Sequence, residues 1–244
     1  MKITILTLFP EMFEGVLNNS ILKRALDKGV FEIEFVNIRD FATNKYKHVD
    51  DTPYGGGAGM LIQVEPIDLA LRSVRQANSY VMMTSPKAEP YTQAKAIELS
   101  KKEHLIIICG HYEGIDARVE KMCDENISIG DYILTGGELA SMVVVDSVVR
   151  LIDHAISSDS LDVESYDNQL LEYPQYTKPY DYHGDKVPDV LLSGNHELIR
   201  KYRLKMALYD TLRYRPELLK DHQFTNEEYR MLQDILVDLK EGRI

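Results

Sequence analysis

The sequence predicts an α/β fold: a mostly parallel sheet with helices on both faces, followed by a small helical domain. Short apolar runs alternate with segments of helical spacing through residues 1–157, which is the pattern of repeated strand–helix units. Runs such as Leu105–Cys109 are apolar throughout, as expected of strands buried on both faces. After Asp153 the chain becomes polar and acidic, and then takes on helical periodicity alone.

Each element is predicted from its local pattern. Strands are predicted where apolar residues run together or alternate with polar ones, at Ile3–Phe9, Phe31–Ile38, Tyr80–Thr84 and Leu105–Cys109. Helices are predicted where apolar residues recur every three or four positions, at Met12–Leu26, Pro66–Ala77, Thr92–Ser100, Ile115–Met122, Gly136–Ile152, His196–Leu212 and Thr225–Leu239. Thr225 and Glu228 have the spacing of a capping box at the start of the last helix.

These patterns divide the chain into three segments. Residues 1–157 form the α/β domain, residues 158–180 a flexible linker, and residues 181–244 the helical domain. The linker is predicted from the stretch SSDSLDVESYDNQ, which is acidic, polar and without period.

Composition is that of an ordinary globular protein, with 244 residues of which 44% are hydrophobic and 27% charged. The opening MKITILTLF is short and precedes Pro10–Glu11 rather than a cleavage site, and no apolar run approaches a membrane span. Cys109 and Cys123 have no metal or redox spacing, and the histidines show no metal-ligand pattern. We therefore expect a cytoplasmic protein without membrane contact, and assign no metal-binding residues.

The charge distribution bears on nucleic-acid binding in two opposite ways. The net charge of −11 argues against such a partner, yet Arg200–Pro216 carries six bases against one acid, with three tyrosines interleaved. Bases neutralise phosphates and tyrosines stack on exposed nucleotides, so the segment is typical of RNA contact. A solvated helix face with its tyrosines packed inward is equally consistent with the pattern. The candidate RNA-binding residues here are Arg200, Lys201, Arg203 and Lys205.

Two glycine-bearing blocks each follow an apolar run, CGHYEGID at Cys109–Asp116 and SIGDYILTGGEL at Ser128–Leu139. Glycine permits close backbone approach, and loops after buried strands are where α/β proteins usually hold ligands. One block alone is most simply a tight turn, but two favour a shared pocket. A Rossmann-type ligand site is excluded, because Pro10–Glu11 rather than a glycine-rich loop follows the first strand.

A third glycine-rich stretch, DDTPYGGGAGM at Asp50–Met60, is either a flexible surface turn or a ligand loop. It ends in Met60–Leu61 and lacks the Lys-Ser/Thr of a phosphate-binding P-loop. We therefore exclude a P-loop nucleotidase.

These three blocks and VPDVLLSGNH at Val187–His196 resemble the signature blocks of the bacterial tRNA (guanine-N1)-methyltransferases, in the same order and over essentially the whole chain. The resemblance implies methyl transfer from S-adenosylmethionine to N1 of the guanosine at position 37 of tRNA, beside the anticodon. It also implies a trefoil knot late in the first domain, a homodimer with shared active sites, and a requirement for Mg²⁺. tRNA is the implied nucleic-acid partner, and DNA is not one.

The resemblance also implies residue roles. The implied cofactor-binding residues are Thr84, Ser85, Pro86, Gly110, Tyr112, Gly114, Ile129, Gly130, Asp131, Tyr132, Ile133, Leu134, Gly136 and Gly137. The residues implied to lie near the target nucleotide are Asp50, Gly55, Gly56 and Gly57.

Two catalytic residues are implied. Because N1 of guanine carries a proton at neutral pH, a base must remove it; the family uses an aspartate followed by Ser-Phe, and the corresponding residue here is Glu164. Asp162 and Asp167 are the alternatives if glutamate reaches too far. Arg150 corresponds to the family arginine that stabilises charge developing on O6.

The chain departs from the family at one cofactor loop as well, with Lys87–Ala88 in place of the common Gln-Gly. These departures leave two alternative functions open, a knotted ribose 2′-O-methyltransferase and an RNA-binding protein without catalysis.

Overall fold

A five-stranded parallel sheet forms the centre of the first of two units into which contacts divide the chain, Met1–Ser158 and Asp159–Ile244. The computed structural model describes residues 1–156 and 170–242. The strands are β1 (Lys2–Thr7), β2 (Glu32–Asn37), β5 (Ser79–Thr84), β6 (His104–Ile108) and β7 (Glu125–Ile127). Their order is β2-β1-β6-β5-β7, with every neighbouring pair parallel. The predicted mostly parallel sheet is confirmed.

Helices cover both faces of this sheet. They are α1 (Glu14–Leu17), α2 (Ser20–Asp27), α3 (Val64–Val74), α4 (Gln93–Ser100) and α5 (Glu138–Val149). Successive residues of a strand point to opposite faces, so in β6 Ile107 packs with α2, α4 and α5, whereas Ile106 packs with α3. Two fully buried clusters result, one on each side of the sheet.

Two of the predicted helices are wrong in detail. Met12–Leu26 is broken into a 3₁₀ turn, α1 and α2, because Asn19 is extended and its amide donates to the Gly15 carbonyl at 2.8 Å. Such side-chain bonds compete with the helical backbone. The predicted helix Ile115–Met122 is a 3₁₀ turn that begins at Ala117, since the Asp116 side chain accepts the Arg118 N–H and caps it.

A two-stranded hairpin, missing from the sequence prediction, carries the glycine-rich stretch. Its strands are β3 (Asp50–Asp51) and β4 (Leu61–Ile62), which pair antiparallel. Gly55, Gly56, Gly57 and Gly59 all have positive φ. The connection therefore follows a path that other residues adopt only with strain.

The second unit contains two long helices, α6 (His196–Tyr214) and α7 (Asn226–Lys240), and a small hairpin of β8 (Asp181–Tyr182) and β9 (Asp185–Lys186). Its buried centre is Leu170, Leu208 and Ile235. Leu170 belongs to the segment predicted as a linker, and from that residue onward the described chain is part of this unit. The capping box at Thr225 and Glu228 is confirmed. Within the described residues no helix is long and apolar enough to cross a membrane.

His104 is buried at the amino end of the central strands. Its ring nitrogens lie 2.9 Å from Thr4 Oγ1 and 2.8 Å from Ser79 Oγ, so the imidazole joins β1, β5 and β6. Burial, together with the Lys2 ammonium, lowers the pKa of His104 below its usual range. The folded state therefore holds this imidazole neutral at pH values where an exposed one is protonated.

We predict that this histidine makes the stability of the first unit fall in mild acid. Below about pH 6.5 the unfolded chain binds a proton at His104 that the folded chain does not, so stability present above that pH is lost as pH falls towards the lowered pKa. Urea unfolding between about pH 7.5 and 5 measures the loss, and His104→Gln should reduce it. His48→Gln, at an exposed histidine, should keep the wild-type dependence; equal dependence in all three proteins would show that His104 is not responsible.

Candidate functional site

Three loops meet at the carboxyl ends of β5, β6 and β7 and enclose a cavity of about 580 Å³. They are the first loop (residues 85–91), the second loop (109–116) and the third loop (128–137). The edge where parallel strands end is the usual ligand site of open α/β sheets, and the volume falls within the range of small-molecule sites. The shared pocket predicted from the glycine blocks is present.

The first loop is held by the strand beside it. Ser85 N–H donates to the Ile127 carbonyl at 2.8 Å, and Ser128 N–H donates to the Glu89 carbonyl at 3.2 Å. Tyr91 N–H donates to the Ser128 carbonyl at 2.6 Å, and the Tyr91 hydroxyl lies 2.7 Å from Ser147 Oγ of α5. The loop that contains the departure Lys87–Ala88 is thus fixed at both ends, and Lys87 itself lines the cavity.

The second loop is bonded to the glycine-rich hairpin. Glu113 N–H donates to the Met60 carbonyl at 3.1 Å, and Ile62 N–H donates to the Gly114 carbonyl at 3.0 Å. Tyr112 has a left-handed backbone with φ of 58°, and Gly59 lies so close to Glu113 that a Cβ there would be 2.2 Å from its Cγ. The hairpin therefore lies directly against a wall of the cavity.

The third loop passes over the ends of β5 and β6 at very short range. Gly137 N–H donates to the Gly110 carbonyl at 2.7 Å. A Cβ on Gly137 would lie 2.2 Å from Thr84 Oγ1 and 2.7 Å from Gly110 N, distances that real Cβ atoms do not adopt. The Gly-Gly pair of the third loop is therefore required because the backbones approach so closely, and not because the loop has to be flexible.

A buried carboxylate lies beneath the cavity. Glu138, the first residue of α5, is 1% exposed and accepts a hydrogen bond from Thr7 Oγ1 at 2.7 Å. The helix N-terminus further stabilises its negative charge. Its other oxygen is 4.0 Å from Nδ1 of His111, a buried atom without a hydrogen-bond partner among the described residues. Glu138 thus connects strand β1 with α5 and lies beside the second loop.

The structure brings together every predicted cofactor residue except Asp131, which is exposed and does not line the cavity. Among the other lining residues, sequence reasoning did not assign to the cofactor the four with ionisable side chains, Lys87, His111, Glu113 and Glu120. His111 and Glu113 stand inside the CGHYEGID block, which was the available signal, whereas nothing in the sequence marks Glu120.

Of the two predicted catalytic residues, the structure describes only Arg150. Arg150 is half-buried at the C-terminal end of α5, so the length of that helix, about 18 Å for twelve residues, separates it from Gly137. Glu164 lies outside the described residues, as do Asp162 and Asp167. In the ranges 1–156 and 170–242 no three His, Cys, Asp or Glu side chains converge as a metal site requires.

Three of the four candidate RNA-binding bases of α6 are ion-paired. Arg200 bonds Glu197 at 2.9 Å and Glu227 at 2.7 Å, and Lys201 lies 3.3 Å from Glu197. The Arg200 guanidinium lowers the pKa of Glu197 to about 2. In the same way Lys205 pairs at 2.9 Å with an acid of α7, Asp238.

The fourth base, Arg203, is exposed, and its guanidinium lies 4.9 Å from the centre of the Tyr173 ring. Two of the interleaved tyrosines are half-buried: Tyr209 packs on the core of the unit, and the partial burial of Tyr202 raises its pKa to about 12. Tyr214 is exposed.

The parallel sheet and its glycine-lined cavity define an α/β enzyme with a small-molecule site. Residues 1–221 match the family described as tRNA (Guanine-1)-methyltransferase TrmD. The chain is 52% identical over 242 residues to a tRNA (guanine-N(1)-)-methyltransferase of Dictyoglomus turgidum, covering 99% of each protein. It is 54% identical over 234 residues to one of Carboxydothermus hydrogenoformans, covering 95% of this chain and 92% of that one. The chain belongs to the tRNA (guanine-1)-methyltransferase family.

We predict that Gly137→Ala disrupts the cavity. The new Cβ would overlap Gly110 N, which as backbone cannot move aside, and such overpacking costs about 1–3 kcal/mol. Thermal melting should show the lost stability, and calorimetric titration should show weakened S-adenosylmethionine binding.

Gly15→Ala is the matched control, since a Cβ on Gly15 in α1 would have no neighbour within 4 Å and alanine favours helix. Equal melting temperatures and cofactor affinities for the two variants would contradict the close approach at Gly137.

Proposed function

We propose that this protein transfers a methyl group from S-adenosylmethionine to N1 of the guanosine at position 37 of tRNA, next to the anticodon. The proposal is carried by the cavity that the three glycine-bearing loops enclose, in a chain that belongs to the tRNA (guanine-1)-methyltransferase family. Family membership also favours this reaction over ribose 2′-O-methylation and over RNA binding without catalysis.

The lining of the cavity fits the methyl donor. Backbone of Gly110 and Gly114 and apolar side chains such as Ile133 and Leu134 line it, the mixture that can read the edge of adenine and cover its ring. The carboxylates of Glu113 and Glu120 also line the cavity and attract a positively charged sulfonium. When bound, the donor supplies an electrophilic methyl group.

The resemblance further implies a trefoil knot, and we assign its threaded segment to the third loop. That segment lies across the ends of β5 and β6, with Gly136 bridged to His111 and Gly137 bonded to Gly110. A chain tightly packed in this way holds the cavity in a fixed shape.

The chain's own residues perform the proton chemistry. Glu164 takes the proton from N1 of guanine, so that the ring nitrogen presents a lone pair. Arg150 faces the charge that develops towards O6 and stabilises it. Both roles come from the family resemblance and are transferred to these positions of this chain.

We also propose a homodimer with active sites shared between subunits. The exposed face of α5 carries Leu139 and Val143, which are 48% and 46% exposed and one helical turn apart. Such apolar residues on a helix next to the site favour a second copy. A shared site would also account for the separation of Arg150 from the cavity within one subunit.

tRNA is proposed to contact both units. In the first, the proposed contacts are Asp50 and the glycines Gly55, Gly56 and Gly57, which belong to the hairpin that bonds the second loop through Met60 and Ile62. In the second, exposed Arg203 contacts phosphate directly. Arg200, Lys201 and Lys205 are already paired with acids, so we expect them to contribute less to phosphate contact than Arg203 does.

We place the protein in the cytoplasm, where tRNA is found. The Mg²⁺ that the resemblance implies has no three-ligand protein site among the described residues, so these side chains alone do not fit a resident ion.

The reaction and its base are tested together. Wild-type protein incubated with labelled S-adenosylmethionine and tRNA should yield 1-methylguanosine on digestion; 2′-O-methylated nucleoside or no product would refute the proposed function. Glu164→Gln should lower single-turnover transfer about 100-fold or more, the usual contribution of general-base catalysis, while both substrates still bind. If Asp162→Asn or Asp167→Asn loses activity instead, that aspartate is the base; if none of the three variants does, no carboxylate here is the base.

A second experiment tests which cations of α6 contact RNA. Each phosphate contact contributes about 0.7–0.9 to the slope of log affinity against log salt. Arg203→Ala should reduce the slope for tRNA by that amount, whereas Lys205→Ala should leave it nearly unchanged, because Asp238 already neutralises Lys205. Equal slopes for Arg203→Ala and wild type would remove Arg203 from the interface.

A further inference from the structure

An exposed loop of the first unit carries closely spaced positive and aromatic side chains. All of residues 43–48, hereafter the 43–48 loop, are exposed, and Tyr46 is 76% exposed. The Lys45 ammonium lies 6.0 Å from the centre of the Tyr46 ring, and the His48 ring lies 5.9 Å from it, edge to face. A tyrosine ring flanked by cations in solvent is suited to stacking on a nucleotide base beside its phosphates.

The loop is ordered by its own hydrogen bonds rather than by burial. The Asn44 side chain accepts the N–H groups of Tyr46 at 3.1 Å and His48 at 2.9 Å, and donates to the His48 carbonyl at 2.6 Å. Lys47, with φ of 54°, donates its N–H to the Asn44 carbonyl at 3.1 Å. Asn44 thus holds the intervening side chains outward, so that less conformational entropy is lost when they bind.

Contacts on both sides place this loop at the rim of the cavity. Before it, Arg39 donates to the Tyr112 hydroxyl at 3.3 Å. After it, the β3–β4 hairpin bonds Glu113 and Gly114 through Met60 and Ile62. Tyr112, Glu113 and Gly114 all line the cavity, so the segments before and after the 43–48 loop contact the same wall.

Its charge is available to a partner. Lys45 makes no ion pair within the part of the chain that the structure describes. Lys47 pairs with Asp40 at 3.1 Å, but both side chains are well exposed, so this pair is easily exchanged. Although the protein carries a net charge of −11, these two lysines give the rim of the cavity a local positive charge that attracts a polyanion.

We propose that the 43–48 loop is an RNA-contact surface, in which Lys45 and Lys47 contact phosphates and Tyr46 stacks on an unpaired base. The inference rests on the proposed function, since it names a further surface for the same tRNA. It differs from the glycine-rich hairpin and from α6, because it combines exposed cations with an exposed ring beside the methyl-donor cavity.

The phosphate contacts are tested by salt dependence. The double variant Lys45→Ala/Lys47→Ala should reduce the slope of log affinity against log salt for tRNA by about 1.4–1.8, from two contacts. The control is Lys23→Ala/Lys28→Ala, at two exposed lysines in and after α2, which packs on the opposite face of the sheet. An unchanged slope in the loop variant, or an equal reduction in the control, would overturn the phosphate contacts.

The stacking contact is tested at Tyr46. Tyr46→Leu should weaken tRNA binding about tenfold, because it removes base–aromatic stacking, whereas Tyr46→Phe keeps the ring and should bind normally. S-adenosylmethionine affinity should be the same in all variants. Equal tRNA affinities for Tyr46→Leu and Tyr46→Phe would overturn the stacking role.

Different results would contradict the proposed methyl transfer and the proposed RNA-contact surface. If the wild type forms 1-methylguanosine but the loop variants bind like wild type, the reaction stands and the surface is wrong. If the wild type binds tRNA without methylating it, the reaction is wrong, and the same binding comparison still decides the surface. Absence of tRNA binding by the wild type overturns both.

Discussion

The site of the first unit depends on the close approach of Gly137 to the ends of β5 and β6. At this point the backbone of the third loop bonds Gly110 at 2.7 Å, and the space a Cβ would occupy is taken by Thr84 and Gly110. Because the loop is held this close, its other residues close the cavity above the strand ends. The first turn of α5 is fixed by the same contact.

That turn carries Glu138, whose burial links the cavity to the sheet. A buried carboxylate is unfavourable unless it is hydrogen-bonded, and here the Thr7 hydroxyl and the helix N-terminus provide that compensation. Strand β1 and α5 therefore share one buried polar contact beneath the cavity, and His111 of the second loop lies 4.0 Å from it. The loops take their positions from the sheet, which explains why a site made of three separate segments is formed in a single subunit.

The sequence predicted the structure correctly where neighbouring residues alone determine which residue type a position needs. Glycine at Gly136 and Gly137 indicated close approach, apolar runs indicated buried strands, and Thr225 with Glu228 indicated a helix start. It was uninformative where distant partners decide the outcome. Arg200 and Lys205 looked free for RNA because Glu227 and Asp238, 27 and 33 residues away, pair with them only once α6 and α7 pack. The break at Asn19 and the exposure of Asp131 likewise depend on geometry that periodicity does not encode.

The strand order also has a consequence for synthesis on the ribosome. β1 is made first but lies between β2 and β6, and the buried bond between Thr4 and His104 joins residues 100 positions apart. During translation the β1–β2 pair must therefore keep one edge open until β6 emerges, and non-local parallel pairing of this kind is slow. The cavity comes later still, when residues 128–137 cross strands already in place. The buried cluster on one face of the sheet is also completed only when α5, which follows this loop, packs against it, so the nascent chain exposes apolar surface until then and depends on protection from aggregation.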